Sequence, residues 1–82
     1  MKLPRDLSGV ELAKLLRKFG YEITRQSGSH MRVTSRHKGV AHHVTIPAHS
    51  ELKVGTLGEV LGEVAHYLEM ERNELVKSLF AQ

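Results

Sequence analysis

The period of the apolar pattern changes twice along this chain, from helical to alternating and back, and no other feature constrains the fold as much. Leu12, Leu15, Leu16 and Phe19 recur at helical spacing, with Lys14, Arg17 and Lys18 on the other side. Ser8-Gly9-Val10-Glu11 fits a capping box, in which the Ser8 hydroxyl and the Glu11 carboxylate each satisfy a free backbone N–H. Leu7 and Leu12 stand at the two positions of a hydrophobic staple, and Gly20 is a natural C-terminal stop. A first helix is therefore expected over residues 9–19.

Alternation then takes over. Tyr21 to Gln26 places Tyr21 and Ile23 on one face and Glu22, Thr24 and Gln26 on the other. Ser27-Gly28 signals a turn into a second strand, Ser29 to Thr34, where Met31 and Val33 oppose His30, Arg32 and Thr34. Arg36-His37-Lys38-Gly39 is the next turn, and Val40 to Ile46 reads as a third strand ended by Pro47. The helical period returns after a loop over 48–55. Thr56-Leu57-Gly58-Glu59 has the pattern of a second capping box, and Leu57, Val60, Leu61, Val64 and Leu68 form an apolar stripe. Glu71 to Phe80 reads as a short last helix with Leu75, Val76 and Leu79 as its apolar edge.

The order is α-β-β-β-α-α, an α+β fold, and residues 1–82 are expected to form one domain. A three-stranded antiparallel sheet needs a cover, so the helices are expected on one face and solvent on the other. The odd-numbered apolar residues of the first two strands then meet the helices. The open face carries Thr24, Gln26, His30, Arg32, His43 and Thr45.

Charge follows the same division. Residues 1–55 hold ten Lys/Arg against four Asp/Glu, a net of +6, and residues 56–82 hold two against five, a net of −3. A basic front half suits a polyanion such as nucleic acid, with Lys14, Arg17 and Lys18 of the first helix adding to the open face. Zero cysteines exclude disulfides, thiolate zinc sites and thiol catalysis. No apolar run is long enough for a membrane span, and the start of the chain lacks a signal-peptide pattern, so the expected compartment is the cytoplasm. P-loop, GxGxxG and nucleophile-elbow motifs are absent, and the basic half has no paired carboxylates for Mg²⁺ chemistry. No cofactor is expected.

The six histidines ask for an account. His30 follows Gly28-Ser29 at a strand start, where a glycine lets another backbone approach closely, and Arg32 lies two residues on along the same face. Imidazole exchanges protons near neutral pH. RNA cleavage through the 2′-OH needs a base, a cation for the phosphorane and an acid, so His30 suits a proton role and Arg32 a phosphate role. Taken alone, a strand-end histidine is more often an ordinary surface residue. His42 and His43 point to opposite faces and cannot serve one site; His43 shares the open face, and His42 packs at the sheet margin. A zinc site from His30, His43 and His49 lacks any ligand spacing such as HExxH, so no metal is expected.

Two long runs sharpen this reading. Ser8-Gly9-Val10-Glu11-Leu12 through Lys18-Phe19-Gly20-Tyr21 and on to Arg25-Gln26-Ser27-Gly28-Ser29-His30 resembles the HicA family of toxin mRNA interferases. So does Val44-Thr45-Ile46-Pro47-Ala48-His49-Ser50-Glu51-Leu52-Lys53-Val54-Gly55-Thr56-Leu57, and Glu71-Arg72-Asn73-Glu74-Leu75 is similar to the family's last helix. The resemblance implies a double-stranded-RNA-binding-domain-like α-β-β-β-α fold and an endoribonuclease toxin of a type II toxin–antitoxin system, cutting mRNA and held off by a HicB-type antitoxin. The family's catalytic histidine, in its Gly-Ser-His motif, falls on His30, with Gly28 and Ser29 beside it. Arg32, His43, Lys14 and Lys18 complete the expected RNA contacts. One departure is a longer second helix, with His66-Tyr67-Leu68-Glu69 where a shorter Gly-containing turn is common. Two other readings stand beside the toxin: a non-catalytic RNA-binding module of the same fold, and a subunit whose sheet docks another protein.

Overall fold

The first helix begins at its capping box. In the computed structural model, which describes residues 3–81, the Ser8 hydroxyl accepts from the Glu11 N–H at 3.0 Å and the Glu11 carboxylate accepts from the Ser8 N–H at 2.8 Å. Helix α1 runs Gly9–Leu16, and the expected last turn tightens into a 3₁₀ segment, Arg17–Phe19, closed by Gly20 at φ 84°. Three strands follow, β1 (Glu22–Ser27), β2 (His30–Ser35) and β3 (His42–Pro47), then α2 (Val54–Leu68) and α3 (Arg72–Phe80). The sheet is antiparallel in the order β1-β2-β3. None of the described helices is long and apolar enough to cross a membrane.

The helices cover one face, as the alternation requires. Met31, Val33, Val44 and Ile46 from the sheet are buried with Leu12 and Leu16 of α1 and with Leu57, Leu61 and Val64 of α2. Burying each such side chain contributes roughly 1.5–3 kcal/mol. Leu75, Val76 and Leu79 of α3 close the same core against α2, and the Lys18 ammonium donates to the Ser78 carbonyl at 2.9 Å, tying the end of the 3₁₀ segment to α3.

α1 sits on the sheet end at Gly9. A β-carbon there would stand 1.9 Å from the Pro47 carbonyl oxygen, and the Gly9 N–H donates to the His49 carbonyl at 3.0 Å. Only glycine permits that approach.

Several expectations are corrected. α2 starts at Val54, with Lys53 as its extended N-cap and no side-chain cap, so Thr56 lies inside the first turn and caps nothing. The reason is tertiary: Leu52 is buried and its N–H donates to the Leu7 carbonyl at 2.8 Å, which fixes the chain just before the helix. β3 begins at His42, because Val40 belongs to the preceding turn and is 72% exposed. Ser29 is a turn residue, and β2 starts at His30. Ile23 opposes Val33 on the helix side but stays 43% exposed, as every residue of β1 is exposed.

The largest correction is one of register. Ile23 pairs with Val33, but the next β1 partner is Arg25, opposite Arg32, so a β-bulge lies between Ile23 and Arg25. One inserted residue reverses the alternation beyond it. Gln26, expected on the open face, therefore opposes Met31 on the helix side, and Arg25 takes a place on the open face.

Candidate functional site

Residues paired across antiparallel strands share a face, so the register lists the open face row by row. Glu22, Thr34 and His43 form one row, Arg25, Arg32 and Thr45 the next, and Ser27, His30 and Pro47 the last. Arg25, Ser27, His30, Arg32 and Thr45 line a shallow hollow of about 170 Å³. Its walls offer two guanidiniums, two hydroxyls and an imidazole, and no carboxylate. Such a set favours an anion.

The hairpin turn presents His30. Gly28 has φ 57° while Ser29 stays at negative φ, the signature of a type II′ turn, in which glycine is preferred at the first position. No heavy atom lies within 4 Å of where a Gly28 β-carbon would be, so this glycine serves the turn and not a close approach within the protein. The Ser29 carbonyl accepts from the Ala48 N–H, which holds the turn against the end of β3. His30 itself is exposed, and its ring has none of the hydrogen bonds that fix His42 and His43.

His42 and His43 part as expected. His42 lies on the inner side at the sheet margin, 2.6 Å from the Tyr21 hydroxyl through Nδ1 and stacked on Tyr67 with ring centroids 4.6 Å apart. Desolvation lowers its pKa below the ordinary histidine value, against a smaller opposing effect of Glu63. Burial likewise pushes the Tyr21 phenol well above its usual range. Tyr67 also accepts from the Lys38 N–H at 2.9 Å and donates to the Val40 carbonyl, so α2 pins the β2–β3 turn.

His43 stands on the open face one row beyond the hollow, held by a chain of hydroxyls. The Thr24 hydroxyl donates to the Arg32 carbonyl at 3.3 Å and meets the Thr34 hydroxyl at 2.8 Å, which meets His43 Nδ1 at 2.8 Å. A carbonyl can only accept, so the Thr24 proton is committed to it. With that bond made, Thr34 donates to Thr24 and the Nδ1–H tautomer of His43 donates to Thr34. The chain leaves Nε2 as the outward nitrogen, a lone-pair acceptor when the ring is neutral.

The structure thus gathers His30 and Arg32, adds Arg25, Ser27 and Thr45, and keeps Gly28 and Ser29 at the adjoining turn. Lys14 and Lys18 are exposed on the helical layer and do not line the hollow. Arg25 and Ser27 were missed by the alternation because a bulge has no reliable sequence mark. The Ser27-Gly28 turn signal, counted backwards from His30, would have placed Ser27 opposite it. The remaining histidines lie elsewhere: His37 meets the Phe19 ring edge-on, the His49 carbonyl serves Gly9, and His66 lies in the last turn of α2. Among the described residues, no three His, Asp or Glu side chains gather as metal ligands would.

No curated protein and no solved structure matches the chain. A comparison with protein families matches residues 9–64, from the first turn of α1 into α2, to the family described as HicA toxin of bacterial toxin-antitoxin. That match spans more than half of the chain, the whole sheet and the hollow within it: this protein belongs to the HicA toxin family and is the toxin of a toxin–antitoxin pair with a cognate antitoxin.

Proposed function

We propose that this toxin is an endoribonuclease that cuts mRNA, with His30 as the group that moves the proton at the cut site. The observation that carries the reading is the position of His30, solvent-facing at the start of β2 and in one hollow with Arg25 and Arg32. In the reaction, His30 takes the proton of a ribose 2′-OH while the 2′ oxygen bonds to the adjacent phosphorus. The bond from phosphorus to the 5′ oxygen breaks, and that oxygen leaves with a proton from His30 or water. Arg32 stabilises the phosphorane charge. No metal or cofactor is required by this scheme. Arg32, His43, Gly28 and Ser29 contact the RNA, Lys14 and Lys18 meet phosphates from the helical layer, and a HicB-type antitoxin covers the basic face.

The test is cleavage of a defined RNA by the wild type and by His30→Ala. The variant is expected to fold with stability within about 0.5 kcal/mol of the wild type, because an exposed strand-end side chain has little packing to lose. It is expected to lose cleavage by roughly 10²–10⁴-fold while still binding RNA. Products should end in a 2′,3′-cyclic phosphate, and a 2′-deoxy sugar at the cut site should resist. Efficient cutting of the deoxy substrate, or an active His30→Ala protein, would overturn the mechanism.

A further inference from the structure

Arg25 and Arg32 are Cα partners across β1 and β2 and line one hollow, yet neither takes part in the ion pairs of the described residues, Arg17–Glu22 and Lys38–Glu69. Like charges directly opposite one another on a sheet are destabilising. Simple alternation from Ile23 would have kept them apart, with Arg25 on the helix side. The bulge between Ile23 and Arg25 is what brings the second guanidinium onto the open face. Bulges recur beside functional sites, where they re-aim a side chain.

The surroundings state what the pair is for. Thr45 completes the Arg25–Arg32 row from β3, and Ser27 stands beside Arg25 in the hollow, opposite His30. Each guanidinium presents five N–H donors in a planar fork that matches two oxygens of a phosphate, and the hydroxyls supply further donors. The row lies two residues along β2 from His30, about 6–7 Å at the rise of a strand. A phosphate held there has its neighbouring ribose within reach of the imidazole.

We propose that Arg25 and Arg32, with the Ser27 and Thr45 hydroxyls, form a two-arginine clamp for one backbone phosphate of an RNA strand. Arg25 is an obligatory half of it. The clamp rests on the reading of the chain as an RNA-cutting toxin, and its test separates binding from cutting. Full-length His30→Ala protein, in which cleavage is expected to be roughly 10²–10⁴-fold slower, is titrated with a labelled RNA oligonucleotide across a range of salt. It is compared with the same protein carrying Arg25→Gln, Arg32→Gln or, as a charge-matched control at the β2–β3 turn, Arg36→Gln.

Arg25→Gln and Arg32→Gln should each weaken binding about tenfold or more, the loss expected for charge-assisted hydrogen bonds. Each should also reduce the slope of log K against log salt by about 0.7–0.9, the value of one phosphate contact. Arg36→Gln should change neither by as much. Without RNA and at low salt, Arg25→Gln should melt no lower than its parent, since it removes a like-charge contact. Unchanged affinity and slope in Arg25→Gln would overturn the clamp, as would a loss matched by Arg36→Gln, and so would a lowered melting temperature that accounts for the weaker binding. Weakened binding in Arg25→Gln together with a wild type that never cuts RNA would leave the clamp standing and overturn the nuclease reading.

Discussion

The Arg32 carbonyl accepts a hydrogen bond from the Thr24 hydroxyl, and the chain runs on through Thr34 to the His43 ring. The consequence is an imidazole whose outward Nε2 accepts, suited to a ribose hydroxyl or a base amine. Its place argues against a share in the chemistry at His30. His43 opposes Thr34, four residues along β2 from His30, which is about 13 Å at the rise of a strand. Two groups that far apart cannot serve one phosphate. His43→Ala should therefore lose less than about tenfold in cleavage, against the 10²–10⁴-fold expected for His30→Ala. Single-turnover rates on one RNA check this, and an equal loss in the two variants would make them a catalytic pair after all.

At the scale of elements, the contact between α1 and β3 decides whether the sheet end and its hairpin are held. Gly9 occupies the first helical position, where alanine is ordinarily the better residue by about 1 kcal/mol. Here the sign should reverse. A β-carbon 1.9 Å from the Pro47 carbonyl oxygen forces either α1 or the end of β3 to move. Gly9→Ala is expected to destabilise by about 1–3 kcal/mol, the usual cost of overpacking. Denaturant midpoints at unchanged m-value measure it, and a stabilised variant would show that the helix start shifts freely. The loop and sheet explain why the capping box at Ser8 was legible and the one at Thr56 misleading. Both patterns are present in the sequence, but only the first coincides with a point where the chain is free to begin a helix.

At the scale of the whole molecule, charge and titration are unevenly placed. Five of the nine acidic residues, Glu59, Glu63, Glu69, Glu71 and Glu74, belong to α2, α3 and their junction, while Arg25 and Arg32 stand on the opposite side of the sheet. An antitoxin that blocks the hollow should present carboxylates to it, and its association rate should fall steeply with salt. Stopped-flow mixing of the purified pair checks this, and a salt-independent rate, or a complex that still cuts RNA, would count against it. Stability should also depend on pH through His42. Desolvation lowers its folded pKa, so below the unfolded value of about 6.5 the unfolded chain binds the extra proton. The stability held at neutral pH is then lost as pH falls through the folded value. His42→Gln keeps an acceptor for Tyr21 without the titration, and should lose less stability than the wild type between about pH 7.5 and 5. Equal losses in urea titrations would assign the dependence to other groups.

The sequence by itself determined the element order, the face of each strand that meets the helices, and the exposure of His30. These follow from local rules: a helical period in Leu12, Leu15 and Leu16, alternation in Met31 and Val33, and a Gly28 turn that starts β2. The runs shared with the HicA family carried the toxin role as well. What the tertiary structure alone decided was the other wall of the hollow. Alternation sets the face of a strand only while its register is unbroken, and a bulge depends on how an edge strand pairs with its neighbour. That pairing turned Gln26 to the helix side of the sheet and Arg25 to the open face. The start of α2 was decided in the same way, by Leu52 burying itself beside Leu7. Local propensity proposes such boundaries, and burial between distant segments chooses among them, because a buried leucine outweighs an uncapped N–H.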